Sequence, residues 1–338
     1  MSLPQATRES VRKLLVDRLG PVGPALRENE PMRTHTTLQI GGPADWFYEA
    51  ARAEYVPRAL SAAGEAGLPV FVLGGGSNLL VSDEGFRGLV VHVACDAVRF
   101  DADSSIATVE AGKDFLEFIY LCRDRERAAL EFAAGVPGDI GGAIHGNAGC
   151  YGHSISEFVI DGVLAPKDGS PAFTVDNAWF DFEYRESRLK KEQTHVLVES
   201  RLKLSPGRRD DIQAVIDDKL EERRVKHPQW RTEPTAGSYF KNLPPPSPGA
   251  HRVPAGKVLD EAHCRGLRVG DAMVFAKHAN IIVNAGHATA QEVLTLGEIM
   301  KRRAHAISGI WLEEEVLFVG PRPALLPHPE LAGKGPRD

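Results

Sequence analysis

No stretch of this sequence stays apolar for the roughly 20 residues that a helix needs to cross a bilayer. Arg8, Glu9, Arg12, Lys13 and Asp17 interrupt the N-terminal region, so a secretory signal is not expected and a cytoplasmic location fits best. Cysteine is sparse. Cys95, Cys122, Cys150 and Cys264 stand far apart with no CxxC pair, which argues against a disulfide framework and against a zinc site, so no metal is expected. A formal net charge of −6 leaves no basic field to draw nucleic acid. Neither a Rossmann GxGxxG nor the lysine of a Walker A loop occurs, and there is no internal repeat.

What is present suits a packed globular protein. The 338 residues are 43% hydrophobic and 25% charged, enough for two or three domains of roughly 100–200 residues, with a monomer as the expected assembly. Val11, Leu14, Leu15 and Leu19 share one face of a helix over 8–19 that Gly20-Pro21 closes. Strand character over 33–49 is broken at Gly41-Gly42-Pro43. A helix is expected over 53–66, then strands at 68–73, 79–81, 88–93 and 106–112. Asp114 can cap a following helix, and residues 158–206 read as strands around a polar turn at 167–170. The helix from about 209 ends before Pro228 and leads into a new domain. Beyond it lie a stiff proline-rich surface loop at 243–249, a helix at 257–264 and a strand at 279–284. Thr289 and Glu292 then form a capping-box pattern that opens a helix to about 306. Residues 310–320 read as a strand with Glu313 and Glu315 on one face, opposite Glu314, and 321–338 read as a flexible tail.

Two glycine-rich blocks carry the first chemical signal. Gly74, Gly75 and Gly76, followed by Ser77, Asn78 and Leu79, lack the side chains that would keep an anion from converging backbone N–H groups. A plain tight turn would look the same. Strands follow this loop, so an anion there would sit in an amide nest between strands and not on a helix N-terminus. Residues 132–152 hold seven glycines, among them Gly135, Gly138, Gly141 and Gly142, with Val136 and Pro137 between the first two. Such density lets backbone approach an extended ligand or permits a close helix crossing. Asn147 adds a planar amide able to read a ring edge or a sugar.

Three further segments supply reactive groups. Arg185 could hold a carboxylate through two parallel hydrogen bonds, or could simply lie on a solvated strand face. Arg223, Arg224 and Lys226 complement a helix dipole or rim an anionic site. In Thr235-Ala236-Gly237-Ser238-Tyr239-Phe240-Lys241-Asn242 a glycine turn presents a serine beside an ammonium and an amide. That octapeptide is either a proton-transfer site or a polar turn opening a strand.

Taken in order, GGGSNLLV, GVPGDIGGAIHGNAGCYG, FEYRES, GSYFKN and LEEEV resemble the UDP-N-acetylenolpyruvoylglucosamine reductase family over about residues 28–320. The resemblance implies an α+β fold: a two-lobed FAD-binding domain of the vanillyl-alcohol-oxidase (PCMH) type, then a smaller α/β substrate-binding domain. It puts an N-terminal helix and connection at 1–27, the lobes at about 28–95 and 96–208, and the substrate domain at 209–320. It implies that Gly74 to Leu79 and Gly135 to Asn147 hold FAD, the first loop at its pyrophosphate. The family's proton donor falls on Ser238, its carboxylate-binding arginine on Arg185 and its C-terminal acid on Glu315, with Glu313 as the alternative. Tyr184, Lys226, Tyr239, Asn242, His278 and Asn280 fall where substrate contacts occur. The implied reaction reduces UDP-N-acetylenolpyruvoylglucosamine to UDP-N-acetylmuramate at the expense of NADPH, for peptidoglycan synthesis. The lack of a long tyrosine-bearing insertion matches the shorter subtype. Two departures stand out: FKNL where FKNP is usual, and Leu317 where several relatives carry arginine. A flavin oxidase of the same fold and a nucleotide-binding protein without chemistry are the competing readings.

Overall fold

Among the described residues, apolar side chains close around two large cores, with a small third cluster at Phe275, Ile281 and Val283. Trp46, Phe115, Phe118 and Phe180 are buried in one large core, and Phe240, Leu259, Leu296 and Met300 in the other. The computed structural model describes residues 5–331 except Val22, Pro24, Ser104 and Pro248. The chain divides into two units that interleave along the sequence. Unit one takes residues up to 30, 44–75 and 87–223; unit two takes 31–43, 76–86 and everything from 224 onward. The boundary expected near 209 thus lies at 223/224, and two short early segments join the later unit. Their side chains explain why, since Leu38, Ile40 and Leu80 are buried among residues 236–316.

Among the described residues, unit one carries two short strand pairs, Gly149–Cys150 with His153–Ser154 and Arg127–Ala128 with Ser205–Pro206, and two large sheets. The first orders its strands Leu26–Pro31, Pro43–Ala50, Phe86–Val93 and Val70–Leu73, the last pair parallel with Val70 opposite Leu89. Helices α1 (Gln5–Leu19) and α2 (Tyr55–Glu65) belong to this lobe, and α2 buries Val56, Ala59, Leu60, Ala62 and Ala63. The second sheet orders Phe173–Asp176, Val159–Pro166, His195–Lys203, Ile106–Glu110 and Val98–Phe100, antiparallel throughout. Around it lie α3 (Phe115–Asp124), α4 (Ile140–His145), α5 (Arg188–Glu192) and α6 (Arg209–Lys226). Asp114 caps α3 by accepting the Glu117 N–H at 2.9 Å.

Unit two is built on an antiparallel sheet ordered Thr235–Ser238, Ile281–Asn284, Ala272–Val274 and Arg268–Val269, with α7 (Ala255–Glu261) and α8 (Ala290–Ser308). The expected capping box opens α8, and Asp83 accepts a further N–H from Ala290 at 2.9 Å. Leu79–Val81 pairs in parallel with Leu317–Val319. The strand expected over 310–320 is therefore shorter, reduced to these three residues and a single bridge between Glu314 and Phe240. Residues 321–331 differ from a loose tail. Ala324 and Leu326 bond to the side chains of Gln291 and Thr295, and Glu330 pairs with Arg303 at 2.7 Å, so this segment follows polar groups of α8 that composition does not reveal. The rest of the expected tail, 332–338, and residues 1–4 lie outside the described residues. The proline-rich loop is exposed at Pro244, Pro245 and Pro246 and is closed by paired backbone bonds between Leu243 and Val253. Among the described residues no helix is long and apolar enough to cross a membrane, and all four thiols are unpaired.

Candidate active site

In unit one the second glycine-rich block is wired to the turn that bears Arg185. Glu183 and Glu186 exchange backbone hydrogen bonds of 3.1 and 3.2 Å across a tight turn. Arg185 occupies the left-handed region there, at φ +57°. For a non-glycine residue that conformation costs about 1–2 kcal/mol, so the surroundings must hold it. They do so from three sides. The Asn147 amide donates to the Glu183 carbonyl at 2.8 Å, the Ser187 hydroxyl donates to the His145 carbonyl at 2.6 Å, and Lys190 Nζ donates to the Arg185 carbonyl at 2.7 Å. The Arg185 guanidinium lies 5.3 Å from the centroid of the Tyr184 ring.

Gly135, Val136 and Pro137 form the loop before α4, with Gly135 against the side chain of Arg223. Asp139 then caps α4 by accepting the Gly142 N–H at 2.6 Å. Its carboxylate abuts Gly74, and a Cβ on Gly75 would stand 2.8 Å from the Gly138 Cα, so the two glycine-rich segments of unit one meet backbone to backbone. Burial pushes the Asp139 carboxyl up to about 6 against the N–H groups of Gly142 and Gly75 that favour its anion. Sequence reasoning did not single out this residue. Its signal was local: an aspartate three positions before a glycine at a helix start. Burial, reinforced by Lys190 and Lys167, holds the His145 imidazole at about 4, so that ring is neutral.

Unit two holds the serine. The strand Thr235–Ser238 pairs with Ile281–Asn284 but shifts register between Thr235 and Ser238. Gly237 makes the shift at φ +75°, the backbone that the glycine before the serine allows. Beyond Ser238 the chain changes partner. Phe240 bridges Glu314, the Lys241 N–H donates to the Glu313 carbonyl at 2.9 Å, and the Glu315 N–H donates to the Tyr239 carbonyl at 2.8 Å. The Asn78 amide donates to the Glu315 carbonyl at 3.0 Å, and the Leu317 N–H donates to the Asn78 carbonyl at 3.0 Å. The end of the first glycine loop, Gly76 to Leu79, is thereby stitched to the glutamate segment. Leu317, the position of the expected arginine, serves as a ladder residue opposite Leu79.

The three glutamates have different surroundings. Glu313 is exposed, with Lys241 Nζ at 3.4 Å. Glu314 is drawn up by burial, but Lys301 at 2.8 Å and Arg322 at 3.3 Å more than offset that and hold its carboxyl below the usual range. Glu315 is half-buried, with both of its backbone groups bonded.

The expected substrate contacts divide. Lys226 is exposed and Asn242 and His278 are half-buried. The Asn242 side chain accepts the Ala255 N–H at 3.1 Å. Burial, with Arg265 nearby, holds His278 below its ordinary value, and its Nδ1 accepts the Asn280 N–H at 3.2 Å, leaving the proton on Nε2. Tyr239 and Asn280 face inward at 3% and 2% exposure. The Tyr239 ring packs on Gly297 of α8, and both polar atoms of the Asn280 amide bond to the backbone of Phe240. The Asn280 amide thus ties its strand to Phe240 from a position out of solvent.

Comparison with known proteins bears on the whole chain. Residues 44–167 match the model of an FAD binding domain, and 228–319 match that of the UDP-N-acetylenolpyruvoylglucosamine reductase C-terminal domain. A UDP-N-acetylenolpyruvoylglucosamine reductase of Solibacter usitatus is 38% identical over 309 residues, covering 88% of this chain and 97% of the relative. The chain belongs to the UDP-N-acetylenolpyruvoylglucosamine reductase family. The reductase of that name from Bacillus velezensis is 36% identical over 312 residues, covering 92% of this chain and 99% of its own. Among solved structures, UDP-N-acetylenolpyruvylglucosamine reductase from Thermus caldophilus is similar with a TM-score of 0.70 at 30% identity, covering 86% of this chain and 97% of that one. The chain is thus a flavin-dependent oxidoreductase whose FAD-binding domain precedes the reductase's C-terminal domain. Its own residues fit a flavin nucleotide. Asn147 Oδ1, in the second glycine-rich block, is buried with no hydrogen-bond donor from the chain and is open to one from a bound group.

Proposed function

We propose that this enzyme reduces UDP-N-acetylenolpyruvoylglucosamine to UDP-N-acetylmuramate with NADPH, in the cytoplasm and as a monomer, supplying peptidoglycan synthesis. FAD, held by Gly74 to Leu79 and by Gly135, Val136, Pro137, Gly138, Gly141, Gly142 and Asn147, supplies the hydride chemistry that no side chain can. Arg185 and Glu315 stabilise the charge that develops on the substrate carboxylate once the vinyl carbon is reduced. Ser238 gives its proton to the carbon bearing the ether oxygen, which sets the lactyl stereocentre. Tyr184, Lys226, Asn242 and His278 contact the substrate, while Tyr239 and Asn280 act from behind the site. Glu315 takes the role of the acid: it is half-buried, with its backbone bonded to Tyr239 and Asn78, whereas Glu313 is in solvent.

The observation that carries this reading is the pairing of residues 239–241 with 313–315, which puts the serine and the glutamate on adjoining backbone segments of one unit. Anaerobic absorbance tests it. NADPH should bleach the flavin and the enolpyruvyl sugar nucleotide should restore it. Ser238→Ala should keep the bleaching and slow the recovery by several orders of magnitude. Recovery only on admitting air would overturn the reading in favour of an oxidase, and equal slowing of both steps would remove Ser238 from the chemistry.

A further inference from the structure

Ser238 is flanked by two buried polar side chains, Thr235 and Asn280. Thr235 is 6% exposed. Its hydroxyl donates to the Ile282 carbonyl at 2.7 Å and accepts the Gly237 N–H at 3.1 Å, so it pins the residue before the serine to the neighbouring strand. Its main chain is fixed as well, with its N–H on the Thr37 carbonyl at 3.0 Å and its carbonyl accepting the Thr37 hydroxyl at 2.7 Å. On the other side Asn280, 2% exposed, donates from Nδ2 to the Phe240 carbonyl at 2.9 Å and accepts the Phe240 N–H on Oδ1 at 3.0 Å. Its own carbonyl accepts the Tyr239 N–H at 2.8 Å. The two side chains therefore fix residues 237 and 240, and the Asn280 main chain fixes 239, at the point where the strand shifts register and changes partner. Ser238 itself is the last residue of that ladder, opposite Ile281 and one residue beyond the register shift.

We infer that Thr235 and Asn280 are positioning residues for the Ser238 hydroxyl, which they aim without touching substrate. The inference rests on the role proposed for Ser238. It separates from a substrate-contact role for Asn280 because a buried, doubly bonded amide cannot change the affinity for substrate except through the strand it holds. Misplacing a proton donor by about 1 Å is enough to cost roughly 10²-fold in rate.

The test uses the holoenzyme and both half-reactions. Thr235→Val keeps the shape and β-branching of the residue while removing both side-chain hydrogen bonds; Thr235→Ser restores them. Asn280→Asp keeps the size of the amide. Its neutral carboxyl can donate to the Phe240 carbonyl and accept the Phe240 N–H, whereas its anion cannot donate. Thr235→Val, and Asn280→Asp above neutral pH, should retain FAD, flavin reduction by NADPH and substrate affinity measured by spectral titration. Both should slow flavin reoxidation by substrate by about 10- to 100-fold, with a larger solvent deuterium effect. Thr235→Ser should recover the rate, and Asn280→Asp should recover it as pH falls through the titration of the new carboxyl.

Weaker substrate binding with unchanged reoxidation at saturation would overturn the inference and make Asn280 a substrate contact. Equal slowing of both half-reactions, or loss of FAD in both variants, would overturn it in favour of a purely structural role. Failure of the unaltered enzyme to be reoxidised by the enolpyruvyl sugar nucleotide would instead sink the underlying reading.

Discussion

Asp139 carries an ionisable group where charge is least welcome, at the cap of α4 and 5% exposed. Its carboxyl is raised to about 6 in the folded protein from an ordinary value of 3.8. Folding thus favours the protonated form. The stability linked to this group is fully present below about pH 4, is lost as pH rises to about 6, and leaves a penalty on the order of 3 kcal/mol at neutral pH. Asp139→Asn keeps an oxygen for the Gly142 N–H and removes the charge. Thermal melts of the two proteins should therefore coincide near pH 4 and diverge above pH 6, with the variant the more stable. Parallel curves across that window would show that the Asp139 anion is not disfavoured. At this scale the sequence was legible where function depends on residue type and obscure where it depends on conformation. Gly237 before Ser238 announced its positive φ. Nothing about Arg185 announced that it would be held at φ +57° in a turn buttressed by Asn147, Ser187 and Lys190.

Among the elements, α8 shows how far local patterns carry. Thr289 accepts the Glu292 N–H and Glu292 accepts the Thr289 N–H, both at 3.1 Å, a reciprocal pair readable from a spacing of three. The remaining N–H groups of that first turn go to Asp83, which accepts from Ala290 at 2.9 Å and from Gln291 at 3.3 Å. That contribution comes from more than 200 residues away, so no window along the sequence could contain it. Asp83→Ala should lower the unfolding free energy by about 1–2 kcal/mol, read from the midpoint of a urea titration, while Asp83→Asn should recover most of the loss. A midpoint that does not move would mean that Thr289 and Glu292 suffice. The same contrast governs the glutamate segment: period two is visible in the sequence, but a period does not name the partner strand.

For the molecule as a whole, the interleaving of the two units matters more than their composition. Residues 224–338 alone lack the Leu79–Val81 strand, the Asp83 cap and the apolar side chains of Leu38, Ile40 and Leu80. Expressed separately, this fragment should fail to give a cooperative melt, although it spans the whole of the matched C-terminal domain. Co-expression with residues 1–223 should recover soluble, yellow protein. A fragment that melts cooperatively by itself would show that the early segments are dispensable.

Interleaving also sets a clock during synthesis. Thr37 bonds to Thr235, Asn78 to Glu315 and Leu38 to Asn284, separations of 198, 237 and 246 residues. At about 5–20 residues per second, the early half of each pair leaves the ribosome on the order of 10–50 seconds before its partner exists. Throughout that interval Leu38, Ile40 and Leu80 have no core to enter. Unit two can close only once Val319 has been made, so the nascent chain offers chaperones an apolar handle for most of its translation.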